Sequence, residues 1–250
     1  MTVATQVRGA VTLDGASKRY GTARGGVLAL DRITLSIRPG EFVCLVGASG
    51  CGKSTLLNLA AGLDAPTAGQ VVVDGRTALM FQEAALFPWL TVSRNIELAL
   101  RLRRRPARER AARVAELLDV VQLTGFADKR PHELSGGMRQ RVSLARALAS
   151  ATSNDEPGLL LMDEPFAALD AITRDMLQGE LLRVWEATGT TILFVTHDVR
   201  EAVRLAQRVV LLSSRPGTIV REWDVPENGR ELLHDEITAR LRQVITSHAA

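Results

Sequence analysis

Eight consecutive residues, Gly47-Ala-Ser-Gly-Cys-Gly-Lys53-Ser54, match the phosphate-loop pattern G-x-x-x-x-G-K-[ST]. The match follows a strand-like apolar run at residues 42–46 and precedes a helix-like segment at residues 55–61, which is the context that such a loop needs. Glycines let the backbone approach phosphates closely, and N–H groups at a helix N-terminus attract the anion. A glycine-rich turn without function is the alternative, but it does not explain this context. We therefore expect Lys53 to contact phosphates and the Ser54 hydroxyl to bind Mg²⁺.

One of the two cysteines, Cys51, lies inside this loop. A helix N-terminus and the Lys53 ammonium both favour a thiolate, so we expect Cys51 to react readily with alkylating reagents. The other cysteine, Cys44, falls within the strand-like run and should react slowly. Two cysteines without metal-ligand spacing indicate neither a disulfide nor a metal cluster, which is typical of a reducing cytosol.

Short apolar runs alternate with helical segments along much of the chain, a pattern typical of βαβ units around a parallel sheet. The candidate strands of this kind are residues 42–46, 71–73, 78–81, 159–162, 192–195 and 209–212. Residues 11–13 and 33–37 alternate between apolar and polar side chains and predict an antiparallel edge. The expected fold is therefore α/β: a P-loop NTPase core with a parallel sheet and an N-terminal antiparallel β edge.

Residues 91–149 contain helical periodicity and no convincing strand, with breaks near Pro106, Gly125 and Pro131. We interpret this stretch as a helical subdomain inserted into the α/β core. The predicted organisation is one domain over residues 1–250. Its nucleotide-binding core covers 1–82 and 150–225, its helical subdomain 83–149, and its C-terminal helical tail 226–250.

The composition, 46% hydrophobic and 24% charged over 250 residues, is that of a globular protein. No apolar run approaches the ~18 residues that cross a bilayer, and the N-terminus resembles no secretory signal. The seven arginines at residues 101–113 suit either a nucleic-acid surface or a solvated helix face. Because no aromatic residues are interleaved with them, we favour the solvated face and expect no nucleic-acid partner.

Two adjacent carboxylates, Asp163 and Glu164, end the apolar run in Leu159-Leu-Leu-Met-Asp-Glu-Pro165. Neighbouring side chains of a strand point in different directions, so the two carboxylates can do different work. We expect Asp163 to hold Mg²⁺ and Glu164 to polarise a water that attacks the γ-phosphate. The alternative is a strand end capped by surface acids.

A third motif, Leu134-Ser-Gly-Gly-Met-Arg-Gln140, opens a helix of apolar periodicity. Ser135 is a natural N-cap, and the two glycines permit close approach of an anion to the positive end of the helix. On the residues alone, an ordinary turn before a helix fits equally well.

Together, the three motifs resemble the ATP-binding subunit of ABC transporters, over roughly residues 8–220. The resemblance implies ATP hydrolysis with Mg²⁺ as cofactor. It also matches Gln82 to the Q-loop, Ala168-Leu-Asp170 to the D-loop, and His197 to the switch histidine. Tyr20 fits the aromatic residue that stacks on adenine, although a lone tyrosine could equally belong to the core.

The resemblance implies a role for each site residue. The implied catalytic residues are Lys53, Glu164 and His197, and the implied Mg²⁺ ligands are Ser54, Gln82 and Asp163. The implied ATP-binding residues are Tyr20, Gly47, Ala48, Ser49, Gly50, Cys51, Gly52, Lys53, Ser54, Thr55 and Gln82. The residues implied to bind ATP held by the other subunit are Ser135, Gly136, Gly137 and Asp170.

Three further segments are similar to ATPase subunits that serve nitrate, sulfonate and taurine importers: Ala85-Leu-Phe-Pro-Trp-Leu-Thr-Val, Phe166-Ala-Ala-Leu-Asp-Ala-Ile-Thr-Arg and Leu212-Ser-Ser-Arg-Pro-Gly. This similarity implies a homodimer on the cytoplasmic face of the membrane, with two permease subunits and an external solute-binding protein. The implied solute is an aliphatic sulfonate or taurine, with nitrate as the alternative. The connection at 73–79 is shorter than in those importers, and the one at 150–157 is longer.

Other classes fit the sequence less well. A soluble ABC ATPase acting on DNA or ribosomes usually contains a long coiled coil or a second cassette, and this chain contains one phosphate loop. A kinase or GTPase of the P-loop class would lack the Leu134–Gln140 motif, and no N-K-x-D base-reading motif is present.

Overall fold

The computed structural model describes residues 10–22, 25–153 and 156–246. The chain divides into two compact units, Met1–Gly75 with Val195–Ala250, and Arg76–Phe194. The strands are β1 (Val11–Tyr20), β2 (Val27–Ile37), β3 (Phe42–Val46), β4 (Ala68–Val73), β5 (Thr77–Met80), β6 (Thr152–Ser153), β7 (Glu156–Pro157), β8 (Leu159–Asp163), β9 (Thr191–Thr196), β10 (Arg208–Leu212) and β11 (Ile219–Asp224). The helices are α1 (Lys53–Ala60), α2 (Val92–Leu102), α3 (Ala107–Val120), α4 (Gly136–Ala151), α5 (Ala171–Thr188), α6 (Val199–Leu205) and α7 (Arg230–Thr246).

The first unit contains an antiparallel sheet of order β2-β1-β4. The assignment of residues 71–73 to the parallel sheet is therefore wrong, since they lie in β4 and pair with β1 in the antiparallel direction. Val11 pairs with Ile37 and Leu13 with Leu35, and all four side chains are buried on one face. This pairing confirms the predicted antiparallel edge, although both strands extend well beyond the predicted residues. Register shifts in the β1–β2 pair mark bulges, which let this long pair of strands twist.

A second sheet segment of the same unit places β10 between β3 and β11. β3 and β10 are parallel, as the apolar runs predict, and every residue of β3 is buried. β11 pairs with β10 in the antiparallel direction, with Val209 opposite Trp223. β11 was not predicted, because Ile219–Asp224 is half charged and contains only one buried side chain, Trp223.

The second unit contains the parallel pair β5 and β8, with Ala78 opposite Leu160 and Met80 opposite Met162. Residues 91–151 form α2, α3, α4 and two 3₁₀ turns, so the predicted stretch without strands is confirmed. The predicted breaks are also confirmed, since Pro106 precedes α3 and the two 3₁₀ turns contain Gly125 and Pro131. The bounds of the predicted core and subdomain stay a prediction.

The C-terminal part of the first unit is α7, which follows a polar connector as predicted. Its buried side chains are Leu233 and Ile237, and it packs on α6. In the ranges that the structure describes, every helix is too short or too polar to span a bilayer.

Candidate nucleotide site

The phosphate loop connects β3 to α1 in the first unit. Gly52 stands at the N-cap of α1 with φ 107°, a left-handed conformation that favours glycine. A Cβ at Gly52 would also lie 2.7 Å from Leu30 Cδ2 and 2.9 Å from the Ala29 carbonyl oxygen. A side chain at this position is therefore excluded twice, by backbone conformation and by packing.

The Lys53 side chain folds back into the loop. It is 7% exposed, and its Nζ donates to the carbonyl oxygens of Gly47 and Ala48, both at 2.9 Å. These partners are neutral, whereas a phosphate oxygen would form a stronger, charge-assisted hydrogen bond. The ammonium is thus held where an anion bound in the loop can replace its carbonyl partners.

Oxygen donors suited to Mg²⁺ are present at the predicted positions. Ser54 is exposed in the first turn of α1, Gln82 is exposed after β5, and Asp163 is half-buried at the end of β8. Hydroxyl, amide and carboxylate oxygens are the hard ligands that Mg²⁺ accepts beside substrate phosphates and water. Among the described residues, no three His, Cys, Asp or Glu side chains form a metal cluster. Each of these three residue types therefore suits a Mg²⁺ bound together with nucleotide phosphates.

The expectation of a reactive Cys51 is wrong. The side chain is 1% exposed, and burial raises the pKa of its thiol, although the nearby Lys53 ammonium and local hydrogen bonds act in the opposite direction. The helix N-terminus and Lys53 still favour a thiolate, but the cost of burying the charged sulfur outweighs them. Burial raises the pKa of the Cys44 thiol well above its usual value.

Tyr20, the last residue of β1, is 42% exposed and is therefore not a core residue. Its hydroxyl donates to Asp64 Oδ2 at 3.0 Å, and Lys18 Nζ lies 5.0 Å from the ring centroid. Lys18 also pairs with Asp64, and hydrogen bonds from Lys18 and Tyr20 lower the pKa of the Asp64 carboxyl. These contacts fix the ring in an exposed position, which suits the adenine-stacking role implied for it.

Glu164 follows β8 in the second unit with φ 46°, a left-handed conformation that is rare for a residue with a Cβ. Its carbonyl oxygen accepts a hydrogen bond from the Ala167 N–H at 3.2 Å, in the turn that leads toward α5. Backbone strain of this kind clusters at functional sites. It occurs here at the residue predicted to polarise the attacking water.

The Ser135 motif begins α4 as predicted. Ser135 Oγ accepts a hydrogen bond from the Met138 N–H at 3.2 Å, which confirms Ser135 as the N-cap. Ser135 and Gly136 are exposed, and a Cβ at Gly137 would lie 3.2 Å from Leu169 Cδ2. The start of α4 therefore lies beside the predicted D-loop, where the exposed Asp170 caps α5 by accepting from the Thr173 N–H at 2.9 Å.

Two side chains of α4 hold the backbone of residues 82–85, which begin at Gln82 of the predicted Q-loop. Gln140 Nε2 donates to the Gln82 carbonyl oxygen at 3.3 Å. Arg146 donates to the carbonyl oxygens of Ala84 at 3.0 Å and Ala85 at 2.8 Å. Sequence reasoning missed Arg146, because an arginine within a helix gives no sign that it binds carbonyls about sixty positions away.

The next segment, residues 87–91, is also held by a buried polar side chain. Asn95 is 0% exposed, accepts from the Phe87 N–H at 2.9 Å, and donates Nδ2 hydrogen bonds to the carbonyl oxygens of Phe87, Leu90 and Thr91 at 3.0–3.2 Å. The Phe87 and Trp89 rings, 5.6 Å apart, stay 37% and 67% exposed. An ordered backbone thus carries exposed aromatic rings.

The predicted switch histidine, His197, is exposed between β9 and α6. The next residue, Asp198, caps α6 by accepting from the Arg200 N–H at 2.8 Å. Lys53 and His197 belong to the first unit, and Gln82, Asp163 and Glu164 to the second.

Comparison with known proteins decides the family. The family of ABC transporters matches residues 30–167. The nitrate import ATP-binding protein NrtD of Synechocystis is 50% identical over 83% of this chain and 79% of its own length. The taurine import ATP-binding protein TauB of Burkholderia pseudomallei is 48% identical, over 87% and 84%. The chain belongs to the ABC transporter family.

A third relative and a solved structure agree with this family. The aliphatic sulfonates import ATP-binding protein SsuB of Bacillus cereus is 44% identical over 84% of this chain and 83% of its own length. A solved dimeric ATP-binding cassette, MJ0796 with ADP and Pi, superposes with a TM-score of 0.78 at 34% identity, covering 86% of this chain and 99% of that one. The predicted family and the P-loop NTPase fold are therefore confirmed. As an ABC ATPase, the chain is an enzyme that hydrolyses ATP.

Proposed function

We propose that this chain is the ATP-hydrolysing subunit of an ABC importer for a small anionic nutrient, with an aliphatic sulfonate or taurine as solute and nitrate as the alternative. The observation that carries the proposal is the phosphate loop with the buried Lys53 side chain folded into it, in a chain that resembles import ATP-binding proteins over most of its length. The relatives described above import nitrate, taurine and aliphatic sulfonates, and this supports each of the three solutes.

In the proposed mechanism, phosphate oxygens replace the Gly47 and Ala48 carbonyl oxygens as partners of Lys53 Nζ. The exposed Tyr20 ring stacks on the adenine. Ser54, Gln82 and Asp163 would hold Mg²⁺, which neutralises phosphate charge when bound. Glu164 accepts a hydrogen bond from the attacking water, and His197 contacts the γ-phosphate.

The exposed start of α4 supports a site shared between two subunits. Ser135 and Gly136 offer N–H groups at the positive end of a helix of 16 residues, which attracts an anion. We propose that Ser135, Gly136, Gly137 and Asp170 contact ATP that is bound by the partner of a homodimer. The dimeric state of the MJ0796 cassette supports this arrangement.

The exposed Phe87 and Trp89 rings support docking onto a membrane partner. Exposed aromatic side chains on an ordered backbone are typical of protein interfaces. We propose that this surface contacts one of two permease subunits on the cytoplasmic face of the membrane, and that an external solute-binding protein delivers the solute.

Mixing two inactive variants tests the shared site. A Lys53→Ala chain and a Gly136→Asp chain should each be inactive alone. In a mixed dimer, one site carries both changes and the other carries neither, so ATP hydrolysis should partly return. Gly125→Asp is the matched control, because Gly125 is exposed with open space around it and should remain fully active.

If Lys53→Ala alone hydrolyses ATP at the parental rate, the loop is not the active site. If mixed dimers form but stay inactive, a covalently linked dimer with one intact site distinguishes a wrong shared-site assignment from a requirement for two intact sites.

Growth of the source organism tests the solute. Deletion of the gene should impair growth on a sulfonate or taurine as the sole sulfur source. Normal growth there, with a defect on nitrate as the sole nitrogen source, would replace the first choice by the alternative.

A further inference from the structure

The turn between β10 and β11, residues 213–218, contacts the phosphate loop. Ser213 N–H donates to the Thr218 carbonyl oxygen at 2.8 Å. The Ser213 hydroxyl oxygen accepts from the Thr218 N–H at 2.8 Å and from Thr218 Oγ1 at 2.9 Å. Three hydrogen bonds between its first and last residues therefore close the turn and fix its shape.

The same turn is hydrogen-bonded to β2. Gly217 N–H donates to the Ala29 carbonyl oxygen, and Asp31 N–H donates to the Gly217 carbonyl oxygen, both at 2.9 Å. Leu30 and Gly217 thus form a parallel bridge. The turn cannot shift without breaking these bonds or moving β2.

Gly217 lies directly against the phosphate-loop backbone. A Cβ at Gly217 would lie 2.3 Å from the Cys51 carbonyl oxygen and 3.1 Å from Leu30 Cδ2. The Ala29 carbonyl oxygen that accepts from Gly217 also lies 2.9 Å from the position of a Cβ at Gly52. The loop, β2 and the turn are therefore in close contact, with no room for a side chain between the turn and Cys51.

The turn also contacts the exposed tip of the loop. Arg215 Nε donates to the Gly50 carbonyl oxygen at 3.4 Å, and Arg215 Nη2 would lie 3.3 Å from a Cβ at Gly50. The Arg215 side chain is exposed, so its removal leaves no cavity in the core. Arg215 and Gly217 therefore contact the loop at two consecutive residues, Gly50 and Cys51.

We propose that the turn at residues 213–218 braces the phosphate loop, and that Gly217 and Arg215 are positioning residues for nucleotide binding. The proposal deepens the proposed function and rests on it for the identity of the bound group. It also gives a role to the Ser213-Ser-Arg-Pro-Gly segment, which resembles nitrate, sulfonate and taurine importers. That segment contacts the phosphate loop and so acts on nucleotide rather than on solute.

The test replaces Gly217 by alanine. The Gly217 backbone lies outside the left-handed region, so its φ is compatible with alanine. The added methyl group should therefore clash with the Cys51 carbonyl oxygen without straining the backbone. Gly179→Ala in α5 is the matched control, because a Cβ there meets nothing within 4 Å. Arg215→Ala is the second variant, which removes the contact at Gly50 from an exposed position.

Two measurements are made on each purified protein. The first is the alkylation rate of Cys51, followed by mass spectrometry of its peptide, with the buried Cys44 as internal reference. Because the loop is looser, Cys51 should be alkylated at least about fivefold faster in Gly217→Ala and about twofold faster in Arg215→Ala. The rate in Gly179→Ala should equal that of the parent. The second is calorimetric titration with ATP and Mg²⁺, in which Gly217→Ala should bind about tenfold more weakly.

A folded Gly217→Ala protein with parental Cys51 labelling and parental ATP affinity would overturn the brace. Should that variant not fold, the Arg215→Ala labelling rate decides, and a parental rate overturns the proposal. If the parent binds no ATP, the proposed function fails, and the labelling rates still show whether the turn braces the loop.

Discussion

Replacing Glu164 by alanine and, separately, by glycine isolates the effect of its backbone conformation. Both variants lose the carboxylate and its contacts, so they differ only at Cβ. Because Glu164 has φ 46°, the alanine variant keeps the left-handed strain and the glycine variant does not. We therefore expect the glycine variant to be the more stable of the two.

The magnitude follows from two opposing effects. A left-handed conformation costs a residue with a Cβ about 1–2 kcal/mol, and the greater freedom of glycine in the unfolded chain costs about 0.4–1 kcal/mol. The net difference is about 1 kcal/mol in favour of glycine. At an ordinary exposed helix position such as Ala112 in α3, the sign is reversed, and Ala112→Gly should lose about 1 kcal/mol.

Urea unfolding followed by far-ultraviolet circular dichroism measures both comparisons. In a chain of this length, 1 kcal/mol also shifts Tm by about 2–4 °C, so thermal unfolding gives a second measurement. Both Glu164 variants should lose ATP hydrolysis. If the alanine variant is as stable as the glycine variant while Ala112→Gly is destabilised as expected, Glu164 is not in the left-handed conformation and the strain argument is refuted.

Three further predictions concern polar side chains that are buried or half-buried. Arg146→Ala should lose about 2 kcal/mol of unfolding free energy in urea, and Arg146→Lys about half of that, since an ammonium cannot bind both carbonyl oxygens in the same geometry. Arg108→Ala is the control, because the Arg108 side chain is 86% exposed. Equal stability of the lysine variant and the parent would contradict the binding of both carbonyls by Arg146. Asn95→Ala should lose about 3 kcal/mol because it removes the four hydrogen bonds that this buried amide makes to the backbone of residues 87–91, and stability equal to that of Arg108→Ala would contradict this. Burial acts to raise the pKa of the Glu41 carboxyl, but hydrogen bonds from the Arg38 N–H and from the Arg208 and Arg38 guanidiniums outweigh burial and lower that pKa. The ion pair of Glu41 with Arg208 therefore stabilises the fold at neutral pH. This contribution is lost as pH falls through the pKa of Glu41 in the folded protein. Arg208→Met should therefore cost about 3–5 kcal/mol at pH 7 and less near pH 4, and a loss independent of pH would contradict the pairing.

Local chemistry explains which elements could be predicted from the sequence. The glycine pattern, Lys53 and the flanking apolar run define a strand, a loop and a helix within about 20 residues. The helical stretch at 91–149 and its breaks follow from periodicity, prolines and Ser135 as an N-cap. These signals depend on neighbours along the chain, so they survive without knowledge of the tertiary structure.

β11 and the full lengths of β1 and β2 could not be predicted in this way. Their hydrogen bonds come from partner strands, and backbone pairing needs no apolar pattern on the exposed face. The same reason explains Arg146 and Gly217, which act on backbone carbonyl oxygens far away in the sequence.

The reactivity of Cys51 is a further property that the sequence and the tertiary structure predict differently. Its sequence neighbours favour a thiolate, yet packing leaves it 1% exposed, and burial raises the pKa of its thiol. Residue types and their spacing were enough to establish the family, the phosphate loop and the chemistry expected of each motif, because those depend on covalent order. Burial, backbone strain at Glu164 and the contacts that hold the phosphate loop depend on distant residues that only folding brings together.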